Sequence, residues 1–202
     1  MKAKNVNSWL FPLRFVVFFA LTYLIWDFTA PVGARIFGGV AGDIVKFFDR
    51  ADYTQKIDVQ NKNIILTYRP SKNYDAVEIP LEYKGFTFNT VFLVSLIMAV
   101  PDVALRVRLK ILILGLAVLF PIQVFKFVVY VFNYYSQNMR RQSQALIYPA
   151  YLHHALGYAD KVLWRIDGDG QITAVLIWGA LFYYYKWHHV FSRMKKKLSP
   201  VS

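Results

Sequence analysis

The chain reads as a mainly α, polytopic membrane protein, a four-helix transmembrane bundle with a small extracytoplasmic β-hairpin module. Two observations predict this class. Of its 202 residues, 56% are hydrophobic and 18% aromatic, and the mean hydropathy is positive. A soluble domain of this length rarely needs so many Phe and Tyr to build a core. In addition, eleven of the twelve acidic residues fall in two blocks, Asp27 to Glu82 and Asp160 to Asp169, with only Asp102 outside them. A bilayer imposes such sorting, because charge in hydrocarbon costs several kcal/mol and collects in the loops.

Four segments are long enough to cross roughly 30 Å of hydrocarbon, which takes about 20 helical residues. The first, Trp9 to Phe28, dominates an N-terminal unit of residues 1–28. Lys2 and Lys4 precede it, and no small-x-small cleavage site follows Trp26. The run is also longer than a secretory signal's apolar region, so it is expected to remain as an anchor. The second span, Phe86 to Leu105, and the third, Ile111 to Tyr135, form a unit of residues 86–135. The connection between them, RVRLK, holds Arg106, Arg108 and Lys110. The fourth span, Ile172 to Phe191, belongs to residues 172–202 with the basic tail Arg193 to Lys197. Trp9, Trp26, Tyr134, Tyr135, Tyr183, Tyr184, Tyr185 and Trp187 stand where interfacial aromatic belts belong. With four spans, the N-terminus, the RVRLK turn and the C-terminal tail share one face. Their lysines and arginines make that face cytoplasmic.

Two loops would then lie on the outer face. In the first, residues 29–85, the stretch Gly33–Arg50 places Ile36, Val40, Ile44, Phe47 and Phe48 at helical spacing. This predicts an amphipathic helix on the membrane surface. KIDV, the turn-like QNKN and IILTYR read as a β-hairpin, and DAVEIPLEY as a third extended run. In the second loop, residues 136–171, Tyr148–Tyr158 continuing into DKVLW reads as a short helix, and IDGDG turns the chain into the last span.

The net charge of +12 lies beside apolar segments. It is assigned to topology and to anionic lipid, with the bilayer and not nucleic acid as the partner. The chain has no cysteine, which excludes disulfides, thiolate metal sites and Cys nucleophiles. Asp167-Gly-Asp169-Gly170 begins like a calcium loop, but Gln171 and Trp178 stand at its fifth and twelfth positions, so it reads as a turn. The pairs His153-His154 and His188-His189 occupy neighbouring helical positions about 100° apart, a poor arrangement for one metal. No metal and no other cofactor is expected.

Lys126 lies well inside the third span, where snorkelling is awkward and an interior partner or water cavity is expected. Asp102 is close enough to pair with Arg106, one turn on. Tyr134, Tyr135, Arg140 and Arg141 form an aromatic and basic cluster suited to headgroups or a polar peptide.

An extended run enters a span (EIPLEYKGFTFNTVFLVSLIMAV), followed by RVRLK, a span with a central proline (ILILGLAVLFPIQVFKFVV) and a loop with histidines (YLHHALGYADKVLW). Over about half the chain this layout resembles the core of the exosortase/archaeosortase group of membrane proteins. The resemblance implies an outer-face site that processes proteins bearing a C-terminal sorting tail, built from a Cys, an Arg and a His. Here the Cys position, around residues 86–90, offers Thr87, Asn89 and Thr90, and after Pro121 the basic residue is Lys126. His153 or His154 matches the histidine. The expectation is an accessory protein of an exosortase-type system in a bacterial inner membrane, lacking the catalytic Cys and Arg. It would bind a sorting enzyme or its substrate through Lys126, Arg140, Arg141, His153 and His154. The alternatives are a divergent hydrolase or transpeptidase pairing Thr87 or Thr90 with His153 or His154, or a structural subunit of a larger transport complex.

Overall fold

The computed structural model describes residues 10–49, 54–69, 76–101, 103–143, 149–165 and 171–198. Its elements are α1 (Leu10–Phe48), β1 (Thr54–Gln60), β2 (Asn63–Tyr68), β3 (Val77–Glu82), α2 (Tyr83–Ala99), α3 (Leu105–Ser143), α4 (Ala150–Arg165) and α5 (Gln171–Leu198). The protein is mostly helical, with one small antiparallel sheet of order β1-β2-β3.

The largest departure from the sequence reading is α1. A span ending at Phe28 and a separate surface helix from Gly33 were expected, yet one 39-residue helix runs through Asp27 and Pro31. Pro31 removes the donor that Asp27's carbonyl would use, a loss membrane helices tolerate. Thr29 Oγ1 turns back onto the carbonyls of Ile25 (2.9 Å) and Trp26 (3.3 Å). The charge of Asp27 is met by Lys62 at 2.9 Å and Lys84 at 2.6 Å. Neither punctuating residue therefore forces an end.

Around and beyond Pro31, α1 presents a face of small residues, with Ala30, Ala34, Gly38, Ala41 and Gly42 all buried. The sheet lies on this face. A Cβ on Gly38 would meet Val59 at 3.1 Å, and one on Gly42 would meet Ile57 at 3.0 Å. Small side chains are what let a sheet approach a helix so closely. In β2, Ile64, Leu66 and Tyr68 alternate inward, joined by Ile79 and Leu81 of β3. The hairpin closes through Asn61 and Lys62, with Asn61 at φ 57° as a tight two-residue turn requires. On edge strand β3, Pro80 lacks an N–H and Glu78 and Glu82 are exposed, which discourages addition of another strand.

Helix α2 is central, packed by α1, α3 and α5. It runs antiparallel to the first half of α1, with Trp26 on Tyr83, Phe19 on Phe88 and Phe15 on Phe92. It stops at Val100, whose ψ of 121° is the extended geometry forced by Pro101. The RVRLK segment, expected as the turn, is instead the start of α3. Arg108 donates to the Met98 carbonyl at 2.8 Å and so caps α2. A second cluster joins Leu93 and Ile97 of α2, Ile111 and Leu119 of α3, and Ala174 of α5.

Among the described residues, two helices are long and apolar enough to cross a membrane, α1 and the Leu105–Gln137 part of α3. The apolar α2 has 17 residues, about 25 Å at 1.5 Å each and short of a full hydrocarbon core. Length and composition thus mark two spans, not clearly the four expected. Asp102, the IDGDG turn, and the side chains of Arg140, Arg141, His188 and His189 lie outside the described residues.

Candidate functional site

The polar groups that matter lie along α3. Gln123, Lys126, Tyr130, Asn133 and Gln137 follow one another at spacings of three and four, which puts them on one helix face. In a bilayer each needs a protein partner, because hydrocarbon offers none. The lower end of this track faces α2. Gln123 donates to Asn89 Oδ1 and, at 2.9 Å, to Thr90 Oγ1. Asn89 is 1% exposed, and its Nδ2 finds no acceptor among the described residues. Lys126, one turn on, is 5% exposed.

The upper end of the track faces α4. Asn133 Nδ2 donates to Asp160 at 2.8 Å and its Oδ1 accepts from Gln137 at 3.2 Å. Ser136 Oγ is hydrogen-bonded to His153 Nδ1. On α4, His153, Gly157 and Asp160 share a face by the same three-and-four spacing. A Cβ on Gly157 would lie 3.7 Å from Asn133, so the missing side chain leaves that amide room.

The threonines and histidines read as site candidates are not brought together. Thr87 is buried and spends its hydroxyl on its own helix, at the Tyr83 carbonyl 2.9 Å away, a usual resort for helical threonine. Thr90 accepts from Gln123. Neither threonine is hydrogen-bonded to a histidine among the described residues. His153 meets Ser136, which sequence reading passed over, while His154 is exposed and packs edge-on against His153 at 5.6 Å. Gln123, Asn133, Ser136 and Asp160 were also passed over. Their signal was available in QVFKFVVYVFNYYSQ, where polar residues interrupt an apolar run at helical intervals.

On the other side of α3 an apolar groove of about 660 Å³ opens between α1, α3 and α4. Val40, Ile44 and Phe48 form one wall, Leu152 and Leu156 another, and Phe120, Val124, Phe125, Val128 and Phe132 belong to the floor. From Phe28 onward, α1 adds exposed apolar residues at Phe28, Val32, Ile36, Val40 and Phe47. This half of the molecule has more uncovered apolar surface than a water-soluble monomer keeps.

The sheet end of α3 is closed by a further polar knot. Asp49 Oδ2 accepts from both Thr54 N and Thr54 Oγ1 at 2.6 Å. Tyr135 Oη reaches the same Thr54 hydroxyl at 2.9 Å. The threonine's one proton goes to the carboxylate, so the phenol is the donor to Thr54. Burial and neighbouring Tyr134 push the Tyr68 phenol up from its ordinary range. At the exposed edge, the Lys56 ammonium beside Asp58 draws that carboxyl below its ordinary range.

A buried, hydrogen-bonded track thus runs between the helices, with an apolar groove beside it and a sheet tied to one end. Comparison with curated proteins and with solved structures finds no match. A family model described as exosortase H-associated membrane protein matches residues 6–158, which takes in α1, the sheet, α2, α3 and the first half of α4. The chain therefore belongs to the exosortase H-associated membrane protein family.

Proposed function

We propose that the protein is a non-catalytic accessory subunit of an exosortase-type sorting or export system in a bacterial inner membrane. It binds the sorting enzyme or its substrate. Helices α1, α2, α3 and α5 all cross, with both termini cytoplasmic and the sheet on the outer face. The region around Lys126, His153, His154, Arg140 and Arg141 takes part in the contact, and the likeness of layout to exosortases reflects a relative that has lost the Cys and Arg.

One observation carries the non-catalytic reading. The chain has no cysteine, and among the described residues the hydroxyl shown meeting a histidine, that of Ser136, belongs to a residue 2% exposed between two helices. A nucleophile needs an open approach as well as a base. Ser136 has the imidazole without the approach, so the pair serves as a clasp between α3 and α4. The family match supports the association with an exosortase.

The test is maturation of tail-bearing exported proteins in a strain lacking the gene. Loss of processing, rescued by the wild-type chain and equally by S136A, supports the reading. Unchanged processing without the gene sinks it, and loss of rescue with S136A at normal protein levels would favour a hydrolase.

A further inference from the structure

Where α1 meets the hairpin turn and the first turn of α2, three charged side chains converge. Lys62 and Lys84 both bond the same oxygen, Asp27 Oδ1, at 2.9 Å and 2.6 Å. Their side chains stay 38% and 36% exposed, and that of Asp27 35%. Two ammoniums on one carboxylate leave one positive charge over among the three groups, offset in part by Glu82 near Lys84, and each ammonium has three donors to place. Lys84 Nζ also lies 5.9 Å from the centre of the Tyr23 ring and 5.6 Å from that of Trp26. The indole N–H of that same Trp26 is buried, in a residue 8% exposed, and has no acceptor among the described residues. Surplus cation and orphan donor stand side by side.

The surface next to this junction is apolar. Leu13, Val17, Ala20 and Leu24 recur at intervals of three and four and end at Asp27, so they form one stripe of α1. All four are exposed, Leu13 at 62% and Leu24 at 64%. From Leu13 to Asp27 the stripe is about 21 Å long at 1.5 Å per residue. It lies within a helix long and apolar enough to cross a membrane.

We propose that this junction is a binding site for an anionic phospholipid. The phosphodiester oxygens accept from Lys62 and Lys84, and an acyl chain lies along Leu13, Val17 and Leu24. Charge complementarity selects the headgroup, and the exposed stripe selects an amphiphile over a soluble phosphate. Asp27 acts as a tether that keeps both ammoniums at the junction in the lipid's absence, at the cost of part of their charge. The site is independent of the sorting partner and stands or falls separately from it.

Native mass spectrometry of the full chain, released from micelles with equal phosphatidylglycerol and phosphatidylcholine, tests this. Wild type should retain phosphatidylglycerol selectively. K62Q and K84Q should each weaken that preference about fivefold, as expected for one basic residue at an anionic membrane surface. D27N should strengthen it, because the surplus charge grows. Far-UV circular dichroism checks that each variant keeps its helices. A purely structural ion cluster predicts the opposite for D27N, with no gain in lipid and a loss of stability, and that result overturns the proposal. So does an unchanged preference in the K62Q/K84Q double variant, or retention of inorganic phosphate equal to that of the lipid.

Discussion

Tyr68 of β2 stacks on Tyr135 of α3, with ring centres 5.0 Å apart and planes inclined by 29°. Both rings are essentially inaccessible, at 1% and 0% exposure. This contact, with the Asp49–Thr54–Tyr135 hydrogen bonds, ties a sheet too small to stand alone to the C-terminal part of the 39-residue α3. Tyr135→Phe keeps the stack and loses only the phenol bond to Thr54, for about 1 kcal/mol. Tyr135→Ala removes the ring, for about 3–5 kcal/mol. Thermal unfolding in detergent should rank them in that order, and equal losses would show that the hydroxyl, not the ring, holds the sheet.

The glycines of α1 should divide sharply. Gly42 has Ile57 3.0 Å from where a Cβ would stand, whereas Gly39 has nothing within 4 Å. Gly42→Val is expected to lift the sheet and cost about 1–3 kcal/mol by overpacking. Gly39→Ala is expected to stabilise the helix by up to about 1 kcal/mol. Limited proteolysis of the hairpin should be faster in the first variant and unchanged or slower in the second.

The polar track should behave as a coupled set. Gln123→Leu strands Asn89, whose side chain is already short of one partner, and should cost about 1–3 kcal/mol. Asn89→Leu combined with Gln123→Leu should recover part of that loss, since no buried amide is then left unpaired between them. A double-mutant cycle on unfolding in mixed detergent measures the coupling. Strict additivity would mean that the two amides do not depend on one another.

High pH should loosen the sheet before the helices. The Tyr68 phenol is pushed up by burial and by Tyr134, so the folded state resists its ionisation. The contribution is fully present below the unfolded value of about 10 and is lost as pH rises through the folded value. Tyrosinate absorbance should therefore show a late-titrating component, reduced in Tyr68→Phe, and sheet-end proteolysis should increase above about pH 10. A Tyr68→Phe trace identical to wild type would remove this residue as the source.

Lys126→Met keeps the length of the side chain and removes its charge. If Lys126 takes part in partner contact, this variant should remain folded while maturation of tail-bearing proteins falls. Full maturation at normal protein levels would leave Lys126 as a packing residue.

The amino-acid sequence by itself determined the membrane class, because hydropathy and the placement of acids are properties of composition along the chain. It also determined the hairpin, through alternating Ile64, Leu66 and Tyr68 and the QNKN turn, and the short helix at His153, because these signals are local. The tertiary structure decided the rest. Whether α1 ends at Asp27 depends on Lys62 and Lys84, which lie 35 and 57 positions later in the chain and neutralise that carboxylate. Which hydroxyl meets His153 depends on the packing of α3 against α4, whereas the resemblance to exosortases pointed to Thr87 and Thr90. Local patterns record which residues prefer lipid, water or a turn. The pairing of charges and hydroxyls from distant segments is set only when the helices close on one another.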